Sequence, residues 1–416
     1  MQSLARLPRV IPYDPPSMAK TRFVDVHCFA GGFTVGGVQA GLELVGKREG
    51  EGAFGVAACS SNRHILGDGW QSEACEARFW SPTDAEVILG NPPCSGFSVR
   101  SVHVPPKGTN KKTTPVAEWT NSFRGVDSAI NSCMHDIVEY GARCKGLQVL
   151  VFESVAQAGK QGLPLMRTLR NKLETLSGHS WDLHHVFHNN ITCGGNSDRP
   201  RYFFVTSRVP FGVMPTPAIG VVPRAVDVLR SELQGRDGNQ TPTTAEARRI
   251  KSLLETGVEW NARECVSQAA GRFAASHGVE ALRKLDSWDT PRLRYFEARG
   301  FRADQYQPRR WSANAPCPVI TGKLQESVHP TAHRVLTLRE GARALGYPEE
   351  WTLSAYKSDA WLGKGIPVAS GKWIAESVVH CVAGDGAKLQ QGTPVGDREF
   401  LHDNTHDWKA WRGITP

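Results

Sequence analysis

Between Arg22 and Ser207 the chain sets short, unbroken apolar runs among helical patterns. Phe23-Val24-Asp25-Val26, Phe54-Gly55-Val56-Ala57-Ala58, Val87-Ile88-Leu89-Gly90, Val149-Leu150-Val151-Phe152 and Tyr202-Phe203-Phe204-Val205 each predict a buried strand. A strand covered on both faces reads as continuous apolar sequence rather than as alternation. Gly37 to Val45 and Ile130 to Gly141 predict helices between them. Strands and helices alternating in this way predict an α/β domain with a doubly wound, mostly parallel sheet, whose functional groups gather at the C-terminal ends of the strands.

After Val209 the pattern breaks. Pro210, Pro215, Pro217 and Pro223 predict a linker. The stretch to about His329 reads as irregular, with Arg248, Arg249, Lys251, Arg292, Arg294, Arg309 and Arg310 among Trp260, Trp288, Tyr295, Phe296, Tyr306 and Trp311. A smaller inserted domain is expected over 212–329. Helical patterns return at Thr337 to Leu345 and from Ile366 to Val382, so 330–383 is expected to rejoin the first domain, 22–211. Residues 1–21 read as an N-terminal extension. Residues 384–416 read as a polar tail to which the sequence assigns no function.

The chain has 416 residues, 40% of them hydrophobic, enough for a sizeable core and incompatible with disorder throughout. No apolar run approaches the ~18–20 residues of a membrane span. The stretch around Arg6, Arg9 and Lys20 lacks the apolar core of a signal peptide, so a cytoplasmic protein without a membrane partner is expected. The ten cysteines form no Cys-x-x-Cys pair and no Cys/His cluster at zinc spacing, which points to a reducing compartment and to no metal. A net charge of +8 favours a polyanionic partner.

Candidate chemistry lies at strand ends. Gly90-Asn91-Pro92-Pro93-Cys94-Ser95-Gly96-Phe97-Ser98 follows a strand, and its prolines and glycines would present the Cys94 thiol rigidly for attack on an electrophilic carbon. Another strand ends in Phe152-Glu153-Ser154-Val155, offering a carboxyl as acid or hydrogen-bond partner. Asp198-Arg199-Pro200-Arg201 supplies two guanidinium groups suited to a carbonyl oxygen and a phosphate. A Cys, a Glu and paired Arg in one crevice suit Michael addition to a pyrimidine.

In this order the motifs resemble those of the DNA cytosine-5 methyltransferases, from Phe23 to about Val382. Phe23 to Gly41 is similar to the family's glycine-rich cofactor loop, Asn91 to Ser98 to its Pro-Cys loop, Glu153-Ser154-Val155 to its Glu-Asn-Val motif and Ser197 to Arg201 to its Gln-x-Arg-x-Arg motif. Arg334 to Glu340 with Gly346-Tyr347-Pro348 resembles its Arg-x-Leu-Thr-x-Arg-Glu segment, and Gly363 to Val368 its final Gly-Asn-x-Val-Pro motif. The resemblance implies a Rossmann-like methyltransferase sheet with an inserted target recognition domain, S-adenosylmethionine as cofactor, no metal, and double-stranded DNA as partner, acted on by a monomer. It implies Cys94, Glu153, Arg199 and Arg201 as catalytic residues. Its cofactor-binding positions are Asp25, His27, Cys28, Phe29, Ala30, Gly31, Gly32, Cys59, Ser60, Asn91, Pro93, Gly363, Lys364 and Gly365.

Three departures stand out. His27-Cys28-Phe29-Ala30-Gly31 replaces Phe-x-Gly-x-Gly. The acidic residue that ends the family's second strand and holds the ribose is missing, with Cys59 and Ser60 near its place and Asp68 as a substitute. Lys364 stands for the usual Asn, where an ammonium repels a sulfonium. Carboxy-S-adenosylmethionine, whose transferred carbon bears a carboxylate, would turn that repulsion into a salt bridge. Transfer of a methyl group or of a carboxymethyl group is therefore expected. The altered loop also raises a catalytically silent DNA-binding homologue, and the tRNA-modifying branch of the family raises an RNA substrate.

Overall fold

A computed structural model describes residues 20–93, 96–97, 126, 128–217, 222–229, 245–258, 266–285, 309–320, 324–332, 334–353 and 358–405. Among these, eleven strands run in chain order: β1 (Arg22–Val26), β2 (Glu43–Glu49), β3 (Gln71–Ala74), β4 (Val87–Gly90), β5 (Val149–Val155), β6 (Asp182–Asn189), β7 (Pro200–Ser207), β8 (Arg309–Arg310), β9 (Ser327–Val328), β10 (Thr393–Gly396) and β11 (Glu399–Asn404). Nine form one sheet in the order β10-β11-β6-β7-β5-β4-β1-β2-β3, while β8 and β9 pair separately. Only β7 and β10 run against the rest.

The apolar runs are unbroken because the sheet is covered twice. Val24, Val26, Ile88, Leu150, Phe152, Tyr202 and Phe204 point to one face, where helices Ser132–Arg143 and Leu163–Ser177 pack. Their chain neighbours Phe23, Val87, Leu89, Val149, Val151, Phe203 and Val205 point to the other, against α1 (Gly32–Gln39) and helix Val368–Val382. At about 25 cal/mol per Å² of apolar surface removed from water, this double layer is a main stabilising term of the domain. The doubly wound α/β sheet expected from the sequence is the fold observed.

Two elements near the N-terminus differ from the expectation. The run Phe54–Ala58 is not a strand but lies in helix α2 (Ala53–Ser60), entered after Gly52 at φ 93°, and Val56 on it is 57% exposed. The second strand lies earlier, at Glu43–Glu49, where the helical pattern Gly37 to Val45 had been expected to run on. Its apolar signature is broken by Lys47 and Arg48, both fully buried. Lys47 Nζ donates to the carbonyl of Ala58 at 2.7 Å, and Arg48 Nε lies 3.2 Å from Glu73 Oε2 on the neighbouring strand β3. Partners of this kind let cations occupy core positions that hydropathy reserves for apolar side chains.

Two further regions gain structure. The tail beyond Gly384 supplies β10 and β11, and β11 extends the sheet parallel to β6 in the register Leu183 with Glu399. The irregular stretch contains helices Ala245–Glu255, Val266–His277 and Val279–Arg283, which share a core of Ile250, Leu253, Leu254, Ala269, Phe273 and Leu282 with Val328 and Val335. Among the described residues no helix is long and apolar enough to cross a membrane, and no cluster of His, Cys, Asp and Glu could hold a metal ion. Trp260, Arg292, Arg294 and Tyr306 lie outside the described residues.

Candidate active site

The C-terminal end of β1 opens into a loop with unusual backbone. His27 and Phe29 lie at φ 52° and 40°, a left-handed region that side chains with a Cβ rarely occupy, and Gly31 follows at 86°. Glu49, the last residue of β2, ties this loop down. Its carboxylate accepts from Phe29 N at 3.2 Å and from Gly50 N at 3.0 Å, and His27 Nδ1 lies 3.2 Å from Oε1. Glu49 therefore occupies the place of the acidic residue that the sequence reading found missing. That reading set the second strand too late and looked for the acid at Cys59 and Ser60.

Those two positions stand elsewhere. Both are on α2, with Cys59 Sγ directed at the carbonyl of Glu73 and Ser60 Oγ donating back to that of Val56. Cys28 is buried beside Cys59, and burial pushes its thiol well above the usual range. Asp68, the suggested substitute, is an exposed side chain 3.6 Å from Arg63. The loop glycines serve packing: a Cβ on Gly32 would sit 2.0 Å from the Ile366 carbonyl and one on Gly36 2.4 Å from Lys372 N, so α1 meets helix Val368–Val382 backbone to backbone.

Asp25 is fully buried within β1. Thr34 Oγ1 donates to its Oδ2 at 2.5 Å, and burial, opposed by that bond and by the Lys47 charge, pushes its carboxyl up to about 7. Around the loop, Asp25 Oδ1, His27 Nε2 and Trp361 Nε1 are buried polar atoms with no hydrogen bond among the described residues. Together with the Glu49 carboxylate they are groups a polar nucleoside cofactor could satisfy, so the residues present fit S-adenosylmethionine. Ala30 is taken up by packing, its carbonyl accepting from Trp351 Nε1 at 2.8 Å.

The second half of the site lies where β4, β5 and β7 end. Glu153 on β5 is 2% exposed, and Arg201 Nε on β7 lies 2.5 Å from its Oε1. The antiparallel register that pairs Val155 with Arg201 brings the two motifs together across 48 residues of sequence. Burial raises the Glu153 carboxyl, while the charges of Arg201 and Arg199 pull it back. Arg199 behaves differently: its guanidinium donates to the carbonyls of Ile320, Gly363 and Gly365. Asn91, after β4, donates to the carbonyl of Lys364 at 3.0 Å. Lys364 is exposed, and its Nζ stands 5.9 Å from the centre of the Phe29 ring. Pro93 is half-buried beside Asn91, and Phe97 is buried at the far side of the same loop. Cys94 itself lies outside the described residues.

The sheet, with its seventh strand reversed between the fifth and sixth, and the loop and carboxylate at the ends of β1 and β2 define a Rossmann-like methyltransferase class. The family model of the C-5 cytosine-specific DNA methylase matches residues 139–380, more than half of the chain, and the protein belongs to that family. It is similar to the type II methyltransferase M.XorII of Xanthomonas oryzae pv. oryzae, at 21% identity over 94% of this chain and 92% of that enzyme. M.AgeI of Thalassovita gelatinovora is 22% identical over 85% of this chain and 98% of its own. A 35% match to M.Sau96I of Staphylococcus aureus is confined to 78 residues, 17% of this chain and 18% of that enzyme. Among solved structures, a putative DNA modification methyltransferase encoded within a prophage of E. coli covers 88% of this chain and 100% of its own, with TM-score 0.54 and 15% identity, a likeness of fold.

Proposed function

We propose that this protein methylates carbon 5 of cytosine in double-stranded DNA, with Cys94 as nucleophile. The observation that carries the reading is the buried Glu153–Arg201 pair at the strand ends beside the Asn91–Phe97 loop. Burial raises the Glu153 carboxyl and so favours its protonated form, the form that can give a proton to ring nitrogen 3 of a cytosine, while Arg201 keeps it oriented and faces the base carbonyl. The target carbon is inaccessible in a stacked duplex, so the base is turned out into the crevice, at an unstacking cost of a few kcal/mol.

The Cys94 thiolate adds to carbon 6 as Glu153 protonates the ring, which makes carbon 5 nucleophilic. Glu49 and the His27–Gly31 loop would hold S-adenosylmethionine, which when bound would supply the electrophilic methyl group. Loss of the carbon-5 proton and of the Glu153-derived proton, with expulsion of the thiolate, restores the aromatic base. Incubation with a duplex containing 5-fluorocytosine tests this: carbon 5 then has no proton to lose, and a covalent complex should accumulate that Cys94→Ala does not form. No complex with the unaltered chain, or one formed equally by the variant, refutes the reading.

Carboxymethyl transfer from carboxy-S-adenosylmethionine is a second reading, favoured by one observation: the Lys364 ammonium stands over the Phe29 ring beside the cofactor loop. There it could meet a carboxylate on the donor. Mass spectrometry of nucleosides from DNA treated with each donor decides between the two. If only 5-methylcytosine forms, and Lys364→Asn leaves donor preference unchanged, carboxymethyl transfer is excluded.

A further inference from the structure

Three successive backbone carbonyls, those of Gly363, Lys364 and Gly365, are each held by a side chain from a distant part of the sequence. Arg199 Nη2 donates to Gly363 at 3.1 Å and to Gly365 at 2.8 Å, and Asn91 Nδ2 donates to Lys364 between them at 3.0 Å. Arg199 Nη1 donates to the Ile320 carbonyl at 3.1 Å, at the edge of the 212–329 region. The arginine is itself fixed, since its backbone N–H donates to Asn189 Oδ1 at the end of β6. Both side chains are buried, Arg199 at 1% exposure and Asn91 at 4%. A planar guanidinium can serve several carbonyls at once in a set geometry, which an ammonium cannot reproduce.

Each of these hydrogen bonds from the two side chains ends on a backbone carbonyl, three of them at the turn where the helix Ser358–Lys364 ends, and the backbone so fixed carries Lys364 toward Phe29. The same turn runs on to Ile366, whose carbonyl Gly32 of the cofactor loop approaches too closely for a Cβ. We infer that Arg199 and Asn91 are positioning residues that hold the 363–365 turn against the cofactor loop and so set affinity for the donor, and that Arg199 is not a contact to the target base. This assignment rests on the methyl-transfer reading for the identity of the donor. It divides the Arg-x-Arg motif: Arg201 serves the base through Glu153, and Arg199 serves the donor through the turn.

Steady-state kinetics with S-adenosylmethionine and duplex DNA tests the division, with Arg199→Lys, which keeps the charge but loses the fork, and Asn91→Ala, which leaves the guanidinium in place. Arg199→Lys is expected to raise KM for the donor roughly tenfold, as for the loss of charge-assisted hydrogen bonds, with Asn91→Ala moving it in the same direction by less. In both, KM for the donor changes more than kcat, and Kd for duplex DNA holds. An unchanged donor KM in both variants overturns the inference, as does a fall in kcat with donor KM unmoved, the signature of a base contact. Calorimetric binding of S-adenosylhomocysteine gives the same comparison without turnover. Should the unaltered chain trap no 5-fluorocytosine duplex, the methyl-transfer reading fails, and the calorimetric ratio still decides whether the turn is held in this way.

Discussion

In the proposed mechanism, Glu153 is where a single side chain's environment bears most directly on rate. Its carboxyl is buried, is raised by that burial, and has one cation at 2.5 Å. Glu153→Gln keeps the shape and loses the transferable proton, so single-turnover methylation should fall by about a hundredfold or more, the usual scale of general acid catalysis. Quench-flow with labelled donor measures it, and an unaltered rate removes Glu153 from proton transfer. Glu49→Gln should instead weaken donor binding, read by calorimetry with S-adenosylhomocysteine, because it alters a group that holds the loop from below. That Glu153 and Arg201 meet at one end of the sheet was legible in the sequence because each sits in a short motif at the end of an apolar strand. Glu49 was not, since its role depends on which residues form the second strand. Nor was the division between Arg199 and Arg201: two arginines two positions apart look alike until one is found among carbonyls and the other beside a carboxylate.

For whole elements, periodicity predicted well along most of the apolar runs, the helix at Phe54–Ala58 being an exception. The strands at Phe23, Val87, Val149 and Tyr202 and the helices at Ile130, Thr337 and Ile366 all appear, with ends shifted by a few residues. It failed where buried side chains are polar. β2 hides Lys47 and Arg48, and β6 carries His184, His185 and His188, all buried. The helix Leu338–Ala344 shows a boundary written locally: Thr337 Oγ1 accepts from Glu340 N, while the Glu340 carboxylate accepts from Thr337 N and pairs with Arg334. Thr337→Ala should cost about 1 kcal/mol, the usual worth of such a cap, seen as an earlier midpoint in urea unfolding. If the midpoint does not move, the cap is not holding the helix start.

Across the whole molecule, the buried histidines set a pH dependence of stability. Burial, with the Arg201 charge, lowers His188 to about 3, and burial, with the charge of His185, lowers His402 to about 4; His184 is held well below its ordinary value by burial and by His402 and His185. Above about pH 6.5, the free histidine value, neither folded nor unfolded chain protonates these rings, and they add no slope. Below it the unfolded chain takes up protons that the folded one refuses, so stability falls as pH drops from about 6.5 toward 4. Asp25 works the other way: raised to about 7 from 3.8, it keeps its proton when folded, so its contribution to stability, full below about 3.8, is lost as pH rises from there to about 7. Thermal midpoints should therefore fall from pH 6.5 to pH 5, where these three rings outweigh the raised carboxyls of Asp25 and Glu153. His188 stacks between Phe203 and Trp373, so His188→Phe should keep the stacking and flatten that acid limb. An equally steep limb in the variant would assign the slope to other groups.

Strand β11 enters the sheet beside β6, about two hundred residues upstream, and Arg167 and His185 grip its first residue, Glu399. During synthesis the strands through β7 leave the ribosome long before this partner exists, and α1 must likewise wait for the helix Val368–Val382 that covers it. The nascent chain thus carries an open edge and an uncovered face while most of its length is already made. A polypeptide stalled short of Glu399 exposes the backbone of β6 to pairing with other chains, so premature termination should yield aggregates rather than a partly active enzyme.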